Sequence, residues 1–205
     1  MFMNKLSLRS SRSLIIAVVA LALGGCAVGN RYDYRSSIQG LPVSGSGKIA
    51  VDVVDVRPYV LNGDKGSDFV GLQRGGFGNP FDVHTATGGP LAGEMRTAIV
   101  SALERQGFSA VAPNDPAPRK MELRVVEWKT DVMARMKVLY DMTLSIYDQQ
   151  GKILAKSTTK GEEVLGAGFE SANALGAAKA FELRFTELVR DDSVRKALSG
   201  PRTAL

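Results

Sequence analysis

The sequence predicts an α+β domain: a single, mainly antiparallel sheet of about four to five strands with two amphipathic helices packed on one face. Apolar residues at helical spacing in residues 91–103 and 174–188 predict the two helices. Alternation of apolar and polar residues, clearest in residues 138–146, predicts the strands. The elements follow the order strand, long loop, helix, four strands, helix, and one sheet with both helices on one side is the simplest arrangement of that order.

The first 25 residues have the order of a secretory signal peptide. Lys5, Arg9 and Arg12 give a basic start, residues 14–23 are apolar, and small residues follow. As a helix, residues 14–26 would reach only about 20 Å, against roughly 30 Å of hydrocarbon in a bilayer. Removal of this segment is therefore favoured over a single permanent span.

The four residues Leu23-Gly24-Gly25-Cys26 resemble the bacterial lipobox. The resemblance implies cleavage between Gly25 and Cys26, a diacylglycerol on the Cys26 thiol, and attachment to the membrane through amino-terminal acyl chains. Cys26 is the single Cys of the chain, and a lone thiol in an exported protein is otherwise an oxidation liability. The alternative is a free or buried thiol after an ordinary signal peptide.

Ala27 directly follows the Cys and resembles an outer-membrane address. It implies a protein that is anchored in the outer membrane and faces the periplasm, with the periplasmic face of the inner membrane as the alternative. The segment from the lipidated Cys to Gly47 is poor in aliphatic residues and rich in Gly and Ser, so residues 26–47 are predicted to form a flexible tether. Tyr32 and Tyr34 are expected to be linker aromatics or to dock on the domain or the lipid.

The periplasmic domain is predicted over residues 48–198, and it begins with a strand at 48–56 that Pro58 ends. Asp55 and Arg57 lie two residues apart, so their side chains lie on the same side of an extended chain. We expect them to pair with each other or with a nearby backbone, and ligand binding is the alternative.

Residues 59–90 are rich in Gly and are predicted to form a long loop, a kind of segment that is often functional. Its aromatic rings either line a groove for a partner or pin the loop to the sheet. His84 has no second His or Cys with which to bind a metal, so a hydrogen bond within the loop is its expected role. The candidate partner-binding residues are Phe69, Arg74, Phe77, Phe81 and His84.

The remaining elements follow from periodicity. Pro90 and Gly107 bound the first helix, and short strands are predicted at 108–112 and 121–129, the second with a possible bulge. Trp128 is expected to anchor the core or a sheet edge rather than to form a binding platform. Residues 138–146 and 152–160 flank a turn and are predicted to pair as an antiparallel hairpin. A second helix is predicted from about residue 171 to residue 190, with a short capped helix ending at 198 and a tail at 199–205.

The composition excludes several functional classes. Of the formal net charge of +5, three units lie in the first 25 residues, and the remaining +2 is scattered among 21 acids, so no nucleic-acid partner is expected. One His and one Cys cannot form a His-rich or Cys-rich metal site, and no cofactor is expected. Gly47-Lys48 and Gly76-Phe77-Gly78 lack the further residues that phosphate-binding motifs require.

Several features together resemble the YajG-like lipoproteins of Gram-negative bacteria. They are the lipobox, the strand at 49–58, the sequence Gln106-Gly107-Phe108, the hairpin at 137–160, and the passage from Gly166-Ala167-Gly168-Phe169 to Asp191-Asp192-Ser193. This family is largely uncharacterised. The resemblance therefore implies an envelope lipoprotein and transfers no active site.

Three functional hypotheses follow. The first is a non-enzymatic, lipid-anchored lipoprotein that acts by protein binding or assembly in the cell envelope. The second is an accessory lipoprotein of an envelope lipid or small-molecule transport system, which requires an apolar cavity. The third is an envelope hydrolase that uses carboxylates such as Glu162 and Glu163, but adjacent strand residues point to opposite faces and do not form an acid/base pair by themselves.

Overall fold

The computed structural model describes residues 30–74, 79–165 and 170–199. Eight strands form one mixed sheet: β1 Arg31–Tyr32, β2 Gly47–Asp55, β3 Phe69–Arg74, β4 Pro80–Thr85, β5 Phe108–Val111, β6 Arg119–Val132, β7 Met136–Asp148 and β8 Ile153–Leu165. Four helices accompany them: α1 Pro58–Leu61, α2 Leu91–Arg105, α3 Glu170–Arg190 and α4 Asp192–Ser199. Within these ranges, no helix is both long enough and apolar enough to cross a bilayer.

The strand β6 organises the sheet. Along one edge it pairs with β7 in antiparallel fashion over its whole length, and β7 pairs in turn with β8. Along the other edge it pairs in parallel first with β2 and then with β3. The prediction of a mainly antiparallel sheet of four to five strands is therefore wrong, because short strands and parallel pairings extend the sheet beyond the three long alternating stretches.

The predicted antiparallel hairpin is confirmed as β7 and β8. Asp148 shapes its turn, because one carboxylate oxygen accepts hydrogen bonds from the backbone N–H groups of Gln150 and Lys152 at 3.0 and 2.8 Å. Gly151 supplies a positive φ of 80° there, which a side chain would disfavour. The predicted bulge in the strand before it is also confirmed, by a register shift between Val125 and Glu127.

The helices α2 and α3 confirm the two predicted amphipathic helices. The helix α2 packs on β2 and β5, α3 packs on β7 and β8, and their apolar residues join a single buried cluster with Trp128 at its centre. The predicted short third helix is α4, and Asp191 caps it by accepting hydrogen bonds from Ser193.

The segment at 59–90 is not the structureless loop that was predicted. It contains the single turn α1 and an antiparallel pair of strands, β3 and β4, whose partners include Gln73 with Phe81. Gly71 interrupts the alternation of β3, and each of the two strands has only six residues, which hides them in the sequence. Gly71 is required where β3 meets β6, because a Cβ there would lie 2.8 Å from the backbone nitrogen of Thr130.

The described part of the predicted tether, residues 30–47, is also not a free chain. β1 adds to the sheet in parallel with β4, and Tyr32 and Tyr34 have no exposed surface. Ile38, Leu41 and Val43 are buried as well. A few apolar residues suffice to dock this segment on the domain, because each of those named enters the core. The folded domain therefore begins by residue 31.

Candidate functional site

The five candidate partner-binding residues do not converge on one surface. Phe69 is buried in β3, where its ring meets Tyr59 edge to face at 5.6 Å and the ammonium of Lys65 lies 4.9 Å from its centre. This ring pins the segment to the sheet and is not available to a partner. Phe81 is 38% exposed, at the start of β4. Phe77 lies outside the described residues, as do Gly25 and Cys26 of the predicted cleavage site.

Arg74 and His84 have partners within the domain. Arg74 joins β3 to β6 through two hydrogen bonds to the Asp131 carboxylate, at 2.9 and 2.7 Å, and these bonds lower the pKa of Asp131 below its ordinary value against the opposing effect of burial. The Nδ1 atom of His84 lies 2.9 Å from the carboxylate of Asp68. Both residues therefore support the local structure.

Asp55 and Arg57 form a largely buried polar cluster at the end of β2. The Arg57 side chain is fully buried and donates two hydrogen bonds to Asp55, from Nε at 2.9 Å and from Nη2 at 2.7 Å. Its remaining donors reach the carbonyls of Phe69, Trp128 and Ser67 at 2.6, 3.2 and 3.3 Å. These partners are Asp55 and backbone carbonyls of the same chain, so the contacts support the expected structural role, in which the two residues pair with each other and with nearby backbone.

The Arg57 guanidinium lies beside a stretch of β6 that has no neighbouring strand on one edge. Along β6, pairing with β2 ends at Val125 and pairing with β3 begins at Thr130. Between these points β6 has no strand partner on that edge, and Arg57 and the Tyr59 hydroxyl each donate a hydrogen bond to the Trp128 carbonyl, where a neighbouring strand would have supplied one. Burial opposes its charge, but the hydrogen bonds and charge of Asp55 outweigh that effect and hold the pKa of Arg57 above its ordinary value.

A second polar cluster fastens the amino-terminal segment to the core. The indole N–H of Trp128 donates to the hydroxyl of Tyr34 at 3.0 Å, and the two rings meet edge to face. The carboxylate of Glu94 is buried in the first turn of α2, and it accepts hydrogen bonds from the Tyr34 backbone at 3.1 Å and from Thr87. Burial raises the pKa of the Tyr34 hydroxyl. Trp128 is thus a core anchor, as expected.

Glu182 of α3 completes this attachment. It accepts a hydrogen bond from the backbone N–H of Gln39 at 2.9 Å. Burial opposes its ionisation, but Lys179 and this N–H outweigh burial and hold the pKa of Glu182 below its ordinary value. The prediction of a flexible tether is wrong for this segment, whereas the alternative that Tyr32 and Tyr34 dock on the domain is confirmed.

The two adjacent carboxylates that a hydrolase would use lie on opposite faces of β8. Glu162 pairs with Lys137 of the neighbouring strand at 3.2 Å, and Glu163 lies 3.8 Å from Arg184 of α3. They therefore do not act on one substrate atom together. Within the described ranges, no three His, Cys, Asp or Glu side chains are grouped as metal ligands.

The surface has two further features, the outer edge of β8 and a cleft beside β6. β8 pairs with β7 alone among the described strands, so its outer edge has no strand partner, and Ile153, Leu154 and Val164 on it are exposed. A cleft of about 480 Å³ lies at the bulge of β6, where Val126, Leu139 and Tyr140 give it an apolar wall and Asp141, Lys160 and Glu162 a charged one.

The sequence matches no model of a known protein family, and no curated protein sequence matches it. The fold, however, is found in solved structures. Protein XCC0632 from Xanthomonas campestris, assigned to the family DUF330, has a TM-score of 0.53 at 16% identity over 77% of this chain and 95% of its own. A second protein, described only as uncharacterized, has a TM-score of 0.52 at 12% identity over 80% of this chain and 99% of its own.

Lipoprotein GNA1162 from Neisseria meningitidis is also similar, at 12% identity over 68% of this chain and 96% of its own, but its TM-score of 0.28 is too low to carry a structural argument. At these identities the comparisons show the fold alone. The α+β sheet is therefore shared with a DUF330 protein.

Proposed function

We propose that this protein is a non-enzymatic lipoprotein of the cell envelope, anchored by acyl chains on Cys26, that acts by binding other proteins. The observation that carries the proposal is the order of the amino-terminal segment, in which a basic start, a short apolar stretch and the lipobox follow one another. The outer membrane, with the domain facing the periplasm, is the proposed location, because Ala27 follows the Cys. The resemblance to the YajG-like lipoproteins points the same way.

The free edge of β8 supports a role in protein contact. An edge strand presents unpaired backbone N–H and C=O groups, to which an extended segment of another protein can add as a further strand. The exposed Lys156 on this strand disfavours unselective pairing, since edge lysines discourage aggregation. The exposed Ile153 and Leu154 supply apolar contact area for a specific partner.

The anchor is tested by the mature mass and membrane partitioning of the wild type beside Cys26→Ser. We expect a wild-type chain that starts at an acylated Cys26 and sediments with the outer membrane, and a mutant that loses both properties. An unmodified wild-type chain, or one that retains residues 1–25, contradicts the proposal.

The contact surface is tested by photo-crosslinking in intact cells. A photoreactive amino acid at Leu154 or Lys156 is expected to give a discrete adduct with an envelope protein. Arg124 is the matched control, because it is exposed but lies on the central strand β6. The proposal fails for this surface if Leu154 and Lys156 give no adduct that Arg124 does not also give.

The alternative function, an accessory lipoprotein of an envelope transport system, is favoured by the cleft at the β6 bulge. Its volume of about 480 Å³ lies within the range of small-molecule sites. Mass spectrometry of lipids extracted from the purified protein distinguishes the two. A bound lipid that is lost in Leu139→Asp supports the transport role, and an empty cleft supports the protein-contact role.

A further inference from the structure

Three exposed apolar side chains, those of Phe81, Met133 and Val164, lie at one end of the sheet, beside the buried Val132 and Met136. Five strands end or begin there in one row of paired residues, Phe81, Gln73, Val132, Met136 and Leu165. At a spacing of about 4.8 Å between strands, the row is roughly 19 Å wide. We call this part of the surface the row end, and it consists of the row together with Met133, Arg135 and Val164 beside it.

Three apolar side chains of the row end are exposed on one side of a basic turn. Met133, in the turn between β6 and β7, is 72% exposed, Val164 is 55% exposed, and Phe81 is 38% exposed. Arg135 in the same turn is also exposed. Apolar side chains beside a long basic side chain are typical of surfaces that meet a lipid interface, where the apolar groups enter and the basic group stays at the head groups.

The amino-terminal chain reaches the domain at this same end. The side-chain amide of Asn30 donates a hydrogen bond to Gln73 of the row. β1 runs parallel to β4, with Arg31 opposite His84, so Asn30 lies on the side of the start of β4, where Phe81 lies. The covalent path to Cys26 therefore begins beside the row.

The length of that path restricts which surface can face the membrane. Four residue steps separate Cys26 from Asn30, and even a fully extended chain covers about 14 Å in that distance. The opposite end of the sheet is far outside this reach, because the thirteen steps of β6 from Arg119 to Val132 span roughly 43 Å. If residues 26–47 had formed a tether, the domain would have been free to turn in any direction.

From these observations we infer that the row end is a membrane-docking surface, at which Met133 and Phe81 contact the lipid interface while Cys26 carries the acyl anchor. The inference rests on the proposed anchoring through Cys26 and adds to it a defined orientation of the domain. The free edge of β8 and the cleft at the β6 bulge then lie along the side of the domain, where they are accessible to periplasmic molecules.

The test uses the acylated full-length mature protein in vesicles of phosphatidylethanolamine and phosphatidylglycerol. Acylation of the single native Cys leaves no free thiol, so Met133→Cys or Phe81→Cys can each carry one environment-sensitive fluorophore. Ile153→Cys, 51% exposed at the opposite end of the sheet, and Leu61→Cys, 68% exposed on α1, are the matched controls. Lipids with a quencher in the acyl chain report the depth of each label.

We expect a blue-shifted emission and several-fold stronger quenching at positions 133 and 81 than at positions 153 and 61. Equal quenching at all four positions, in protein that floats with the vesicles, overturns the docking surface and leaves the anchor intact. Protein that does not float overturns the anchor and the docking surface together. Circular dichroism of each variant verifies that the label has not unfolded the domain.

Discussion

Replacing Arg57 with Met tests whether a guanidinium stands in for a missing strand along β6. The methionine keeps the apolar bulk but removes the charge and every side-chain donor, and only the backbone N–H of residue 57 still donates to Asp55. The substitution leaves the Asp55 carboxylate, which is 12% exposed, without its charged partner. It also leaves three carbonyls, of Phe69, Trp128 and Ser67, without the hydrogen bonds that Arg57 gives them.

The expected loss of unfolding free energy is about 3–5 kcal/mol, the usual effect of removing one partner of a buried ion pair. This is a large part of the roughly 5–15 kcal/mol by which domains are stable, so the variant should be close to unfolding. Arg57→Lys keeps the charge but loses the planar fork, and we expect a smaller loss of about 1–2 kcal/mol. In the double variant Asp55→Ala/Arg57→Met, about 1 kcal/mol or more should be recovered, because no uncompensated charge remains.

The assay is urea unfolding of the Cys26→Ser chain without residues 1–25, followed by the fluorescence of Trp128, the single Trp of the sequence, and by circular dichroism. Arg35→Met is the control, since its ion pair with Asp33 is exposed on both sides and its loss should leave the midpoint unchanged. A loss below about 1 kcal/mol for Arg57→Met would refute the role of this side chain in the sheet.

Three further changes test the attachment of the amino-terminal segment and the meeting of β3 with β6. Tyr34→Phe removes the acceptor of the buried indole N–H of Trp128 and should lower the unfolding free energy by about 1–3 kcal/mol, measured in urea. Gly71→Ala forces a methyl group against the Thr130 backbone and should lower the thermal unfolding midpoint. An unchanged midpoint would show that β3 and β6 can separate enough to accept the methyl group without loss of stability. The pKa of Glu182 is lowered in the folded state, so its contribution is present above its ordinary value of 4.5 and is lost as pH falls through the lower folded pKa. Unfolding measured across acid pH should therefore lose part of its pH dependence in Glu182→Gln, and identical profiles would contradict this role.

The long elements could be predicted from the sequence because their patterns repeat enough times to be unambiguous. β7 alternates over many residues, β8 follows it across a recognisable turn, and the stripe of α3 follows helical spacing. Even the bulge of β6 was visible, since Met121 and Leu123 share a face that Trp128 joins only if one residue is inserted.

The rest depends on tertiary contacts that no local pattern records. β1 has two residues and β5 has four, so neither shows a period. The parallel pairing of β2 with β6 joins residues that are about 70 positions apart, and its register is set by packing rather than by a turn. For the same reason the row end was not foreseen, although Phe81 was singled out: Met133 and Val164 reach it only through the order of the strands.

The amino-terminal segment is held by residues that lie much later in the chain, so it can be fixed only after those residues have been made. Gln39 is hydrogen-bonded to Glu182, 143 residues further along the chain, and Tyr34 meets Trp128 after 94 residues. A chain that is exported amino terminus first presents residues 30–43 long before α3 has emerged. Under the anchoring proposed above, the segment next to Cys26 is not yet held by the folded domain when a lipid-transferring enzyme and a signal peptidase would act on Cys26. Folding of the domain then fixes residues 30–43, and the proposed anchor would lie only four residue steps from Asn30.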